Sequence, residues 1–217
     1  MAKSEAPPSP ARRKALAGVG AAALASGLPA MPALAQSREA MAKAALDLIE
    51  AVPRDARARL VFGFEDRRRR DWHYIPRGRP GLSLRALSVP QRELVWKLLG
   101  VALTDRGLTQ TRGIITLEGI LGELTGARSF RDPTNYSIVI FGDPAGRKPW
   151  GWRFEGHHLS LNFTVAPGLG AAIVPSFYGA NPETVPKSHH HHGGLRVLAA
   201  EQDDAFRLLG TLSDTQR

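Results

Sequence analysis

The hydrophobic period of this chain changes at Ser129, and that change restricts the fold more than any single motif. Ahead of it, apolar residues recur at helical spacing; beyond it, short β-rich runs alternate with turns. In "SVPQRELVWKLLGVAL", Ser88 and Gln91 stand at capping-box spacing, and Pro90 sits in the first turn, where its missing N–H is not needed. Leu94, Val95, Leu98, Leu99 and Ala102 form the buried stripe of this helix, and Asp105-Arg106-Gly107 is expected to stop it. "TQTRGIITLEGILGEL" predicts another helix, with Ile114, Leu117, Ile120, Leu121 and Leu124 on one side and Glu118 at the margin, read as a rim carboxylate. Upstream, "SREAMAKAALDLIEAV" (37–52) predicts a helix capped by Ser37 and ended by Pro53, and "RDARARLVFGF" a short helix running into extended chain. Downstream, "YSIVIFG" (136–142) reads as a strand and "WGWRFEGHHLSLNFTV" as one long extended segment. "AAIVPSFYGANPETVP" adds a short strand and a loop, and "LRVLAAEQDDAFRLLGTL" returns to helix, with Leu198, Ala205, Leu208 and Leu209 among its apolar positions. The expected class is α+β: N-terminal helices packed on a mainly antiparallel sheet, followed by a further helix, with no internal repeat.

The N-terminus carries an address. Arg12, Arg13 and Lys14 precede a small-residue apolar run that ends in Ala33-Leu34-Ala35 before Gln36. That is the order of a cleavable export signal, and the arginine pair resembles a twin-arginine signal, although Ala11 and Ala15 depart from its usual pattern. The run is too short and too rich in Gly and Ala to span a membrane comfortably. Residues 1–35 are therefore read as a leader, residues 36–217 as a single α+β domain, and the mature protein as periplasmic or secreted, without a transmembrane span. Lys3, Arg12, Arg13 and Lys14 against Glu5 give the leader a net +3, so the formal charge of +9 falls to +6 without it. That charge is unremarkable for a nucleic-acid binder, a role not expected outside the cytoplasm, and suits a protein near anionic lipid or polysaccharide; the expected partner is a small-molecule or envelope ligand and not nucleic acid. The chain has no cysteine, which excludes disulfides, thiolate metal sites and a cysteine nucleophile. The run Arg67 to Arg70, flanked by Glu65, Asp66 and Asp71, reads as a solvated turn.

Several blocks together resemble one family. "DWHYIPRGRPGLSL", "PQRELVWKLL", "RDPTNYSIVIFGDPAGRKPWGWRFEGHHLSLNFTV", "PSFYGANP" and "GLRVLAAEQDDAFRLL" occur here in the order typical of the exported family called domain of unknown function 3500. The resemblance runs from about Ala45 to the end and centres on "WGWRFEGHHLSLNF". It implies an architecture and a site region, not an activity. Members run longer, so the resemblance also implies a domain incomplete at its C-terminus. Where they turn through a short Gly/Pro/Ala loop, this chain has "KSHHHHGG"; His189 to His192 read as a private polar insertion able to hold Ni²⁺, Cu²⁺ or Zn²⁺ only loosely.

The chemistry concentrates in the same block. If residues 153–164 form one strand, Arg153, Glu155, His157 and Leu159 share one face, while Gly156, His158, Ser160 and Asn162 share the other. Adjacent histidines then point apart and cannot bind one ion. Three arrangements are compatible with that constraint: a bulge at Gly156 that turns both rings towards Glu155, a Glu155–His157 pair at the mouth of the core, or a polar face led by His158. His73, in "DWHYIPR" beside Trp72, Tyr74 and Arg77, is the natural third ligand.

Three functions follow. The leading expectation is a metal-dependent envelope enzyme, a hydrolase or oxidoreductase. In it Glu155, His157 and His158 are catalytic and His157, His158 and His73 hold Zn²⁺, Fe²⁺, Mn²⁺ or Cu²⁺. The second is a non-catalytic ligand-binding protein in which Trp150, Trp152 and Arg153, with Asn162 and Arg77, clamp an anionic or sugar-like molecule. The third is metal-free acid–base catalysis by Glu155 and His157. No phosphate loop, dinucleotide fingerprint, nucleophile elbow or HExxH motif supplies a substrate.

Overall fold

A computed structural model describes residues 31–168 and 170–217. The leader reading therefore lies largely outside the described residues. The first helix, α1 (Met31–Ala51), begins upstream of Ser37, which stands inside it rather than at its start. Ala, Met and Leu are good helix formers, so nothing in residues 31–36 ends the helix. Pro53 then opens α2 (Arg54–Leu60). Helix α3 (Val89–Ala102) begins as its sequence requires: the Ser88 N–H donates to Gln91 Oε1 at 2.8 Å, and the Ser88 hydroxyl accepts from the Gln91 N–H. Helix α4 (Asp105–Thr125) departs from expectation. Asp105-Arg106-Gly107 starts it instead of ending the helix before it, because the Thr104 side chain accepts from the Gly107 N–H and Asp105 places a negative charge in the first turn. Gly126, left-handed at φ 70°, closes it.

Among the described residues the sheet has six strands. β3 (Ser137–Phe141), β4 (Trp150–Gly156), β5 (Leu159–Ala166) and β6 (Gly170–Tyr178) form an antiparallel meander. Two short strands share the free edge of β3: β1 (Val61–Phe62) runs parallel to it, and β2 (Leu82–Ser83) antiparallel. The helix α5 (Ala199–Thr211) follows. Its apolar residues Phe206, Leu208 and Leu209 stay exposed, and Glu201 ties it to α4 through Arg106 and Gln110.

The expected single strand over 153–164 is two strands. Gly156 pairs with Leu159, so His157 and His158 are the two residues of a hairpin turn. The turn carries no Asn or Gly to announce it. Along each strand side chains still alternate, giving the sheet two unlike faces. Trp150, Trp152 and Phe154 of β4, with Leu159, Leu161 and Phe163 of β5, join Leu48 of α1 and Val95, Leu98 and Leu99 of α3 in the main core. Trp152 lies opposite Phe163, and the rings stack at 3.8 Å and 5°. An aromatic pair of this kind adds about 1 kcal/mol beyond the area it buries. The other face carries Arg153, Glu155, Ser160 and Asn162, all buried although polar.

Candidate functional site

The histidine turn is fixed from three directions. Tyr136 donates its hydroxyl to the His157 carbonyl at 2.8 Å, the His158 N–H donates to the Tyr74 carbonyl at 2.9 Å, and the Gly179 N–H donates to the His158 carbonyl at 2.8 Å. His158 is the one residue other than glycine with positive φ among those described, at 61°. Histidine tolerates this region better than most side chains, yet the conformation still costs roughly 1–2 kcal/mol relative to a relaxed backbone. Gly156, just before the turn, is dictated by packing: a Cβ there would collide with the Tyr136 ring.

Behind the turn lies a buried carboxylate. Glu118 Oε2 is 2.5 Å from His157 Nδ1, with Glu118 5% and His157 8% exposed. Arg131 Nη1 lies 3.0 and 3.1 Å from the two ring nitrogens of His157 and 3.8 Å from Glu118 Oε1. A proton on Nδ1 satisfies this arrangement. It is donated to Glu118, and Nε2 is left as an acceptor facing the guanidinium. Glu118 comes from the inward side of α4, where Ile114, Leu117 and Leu121 are also buried. Gly119 and Gly122 on the same helix let the loop bearing Arg131 lie close. A Cβ on Gly122 would sit 3.0 Å from Arg131 Cβ, and one on Gly119 would sit 3.1 Å from Pro133 Cγ.

His158 stacks on His157 with ring centroids 3.7 Å apart. Burial, and then the adjoining His157, push its pKa down to about 4, so its imidazole is neutral at pH 7. The Tyr136 phenol is pushed above its ordinary range by burial and then by Glu118, and it stays a hydrogen-bond donor.

Several residues singled out in the sequence lie elsewhere. Glu155 does not join the histidines. It stands on the polar sheet face, where Oε1 lies 2.9 Å from Arg153 Nε and Oε2 accepts from the His73 N–H and the Ser160 hydroxyl. Burial raises its pKa, and Arg153 and then Arg79 oppose that shift. His73 is engaged within its own loop: Nδ1 lies 3.3 Å from the Ile75 carbonyl and Nε2 faces Arg77. Burial, then Arg79 and Arg77, lower the His73 pKa. Arg77 is exposed and paired with Asp71 at 2.7 Å. Trp150 and Trp152 are core residues on the helix-covered face, and Trp152 also borders the cavity that Arg153 and Asn162 line. Arg153 and Asn162 do meet, on adjacent strands of the polar face. In the histidine run, His189 Nε2 lies 3.2 Å from Glu123. Among the described residues no three His, Asp or Glu side chains are placed to hold one ion.

The residues that do contact His157 were hard to foresee. Glu118 read as a rim carboxylate because it borders the apolar stripe, and Arg131 sits in a loop without periodicity. The available signal was the pair of glycines, Gly119 and Gly122, in an otherwise well-formed helix, which marks a close approach by another segment.

An antiparallel meander with helices on one face and buried charge on the other, with a histidine hairpin at its end, defines an α+β protein. By its sequence the chain belongs to the family described as Protein of unknown function (DUF3500), whose profile matches residues 35–217. No curated protein and no solved structure matches it. Among the described residues no helix is long and apolar enough to cross a membrane.

Proposed function

We propose that this protein is a metal-independent acid–base catalyst whose proton-handling unit is Glu118–His157, with Arg131 beside it and His158 at its outer side. The observation that carries this reading is the 2.5 Å contact between a buried carboxylate and His157 Nδ1. A carboxylate in that position fixes the tautomer and the orientation of the His157 ring, as a proton-handling imidazole requires. Arg131 supplies a fixed positive charge for an anion that develops in the transition state. The strained backbone at His158 supports the reading, since a turn selected only for folding would carry glycine or asparagine there.

The test is a panel of ester, amide, lactone and glycoside substrates, assayed with and without a chelator. Turnover is expected to survive chelation and to fall about 100-fold or more in His157→Ala and Glu118→Gln, the range in which a positioned acid–base group contributes. Turnover abolished by the chelator and restored by Zn²⁺ would return the metal-dependent reading. Turnover unchanged in both variants would sink the dyad.

Export belongs to the same reading. The Arg12-Arg13-Lys14 patch, the apolar run after it and Ala33-Leu34-Ala35 support it. The expected mature N-terminus is Gln36, read by mass spectrometry of the envelope fraction.

A further inference from the structure

A second site lies on the polar face of the sheet, four residues along β4 from the hairpin, roughly 13 Å at the rise of an extended strand. Here β4 and β5, with the chain around Arg69–Trp72, enclose a cavity of about 330 Å³. Its polar lining is Arg69, Arg70, Arg153, Asn162 and Thr164, and Trp72 contributes an apolar wall. No carboxylate lines it.

Arg153 is the informative residue. It is 1% exposed, and its Nη2 has no hydrogen-bond partner. Nη1 donates to the Arg69 carbonyl at 3.3 Å. Nε lies 2.9 Å from Glu155 Oε1 by distance, but its N–H is not aimed at that oxygen, and both atoms stay without a hydrogen bond. The local charges do not balance either. Arg79, whose Nε is buried and also unpartnered, donates its other N–H groups to the Arg77 and Ile75 carbonyls and has Glu155 as its one neighbouring carboxylate, while the other acid near Arg153, Asp71, is exposed and paired with Arg77. Arg70 reaches only the exposed Glu65, at 3.4 Å, and Arg69 donates to a backbone carbonyl and lies over the Phe64 ring. Two guanidinium groups against one buried carboxylate, with two more arginines at the cavity, is an arrangement that an anion completes.

We infer that this cavity binds a small organic carboxylate, with the carboxylate received by Arg153 and its apolar body against Trp72. A guanidinium fork matches a planar carboxylate, and the mixed lining suits a molecule with one charged end better than a bare inorganic ion. The site is independent of the Glu118–His157 dyad and stands or falls by its own test.

The test is isothermal titration calorimetry of the whole chain with sodium benzoate, sodium hexanoate and inorganic phosphate in turn. A saturable isotherm with benzoate or hexanoate is expected, weakened at least tenfold in Arg153→Lys, which keeps the charge and removes the fork. Circular dichroism checks that the variant folds; should it not, Arg69→Gln carries the same readout with the buried arginine intact. Binding of phosphate alone would overturn the ligand class. No saturable isotherm with either carboxylate, or equal affinity in wild type and variants, would overturn the site.

Discussion

His158 combines two features that pull against each other: a left-handed backbone that glycine adopts freely, and an imidazole kept neutral by burial against His157. Its protonation is therefore linked to stability. The folded state holds the pKa at about 4, against 6.5 for a free histidine. Between those values the unfolded chain binds more protons, so stability is full above about pH 6.5 and declines as pH falls towards 4. An NMR titration of the ring is expected to show a midpoint near 4; a midpoint near 6.5 would contradict the packing described. Substitution separates the two histidines. His158→Gly relieves the backbone while losing the stacked ring, and is expected to leave stability within about 1 kcal/mol of wild type in denaturant melts. His157→Ala leaves the Glu118 carboxylate buried with only the more distant Arg131, and is expected to cost about 3 kcal/mol.

At the level of elements, the contact that builds the dyad is a helix packed close to a loop. Gly122→Ala tests it, because two effects oppose. Alanine favours the helix by about 1 kcal/mol. Its Cβ would stand 3.0 Å from Arg131 Cβ and 3.1 Å from the Arg131 carbonyl oxygen, so the loop must move. The expected outcome is a net loss of stability in thermal melts, and a gain would show that the loop yields freely. Some of this was legible beforehand. The Ser88–Gln91 capping box announced α3, and the period change after residue 129 separated the helices from the meander. The start of α4 was not legible, because Asp-Arg-Gly reads as a breaker unless Thr104 is seen capping it. The hairpin was hidden because a His-His turn carries no turn residue; it is held by Tyr136, Tyr74 and Gly179, all distant in sequence. Only tertiary contacts select that turn, and they also separate Glu155 from the histidines.

Across the whole molecule, the two faces of the sheet are held by different forces. One face packs aromatic and aliphatic side chains against α1 and α3. The other is covered by chain without strands, joined to it through polar contacts such as the His73 N–H with Glu155 and Arg153 with the Arg69 carbonyl. Segments held in this way open more readily than a close-packed core. Hydrogen exchange is therefore expected to be faster at residues 72–80 than in β4 and β5, as measured by mass spectrometry of peptides. Equal protection would mean that the polar cover is as stable as the core.

β1 and β2 give that cover a particular freedom. Both strands are hydrogen-bonded to the same edge of β3, so the chain between Phe62 and Leu82 leaves one strand and returns to it. It behaves as a handle fixed at both ends and pinned between them at Arg69, His73 and Tyr74. Lengthening such a handle is cheap, about 0.6 kcal/mol for each doubling, and it leaves the sheet register untouched. The cavity beneath it can thus be reshaped by insertion or deletion between those pinned points. The histidine hairpin limits that latitude, because one of its three anchors, Tyr74, belongs to the handle while Tyr136 and Gly179 come from other parts of the chain.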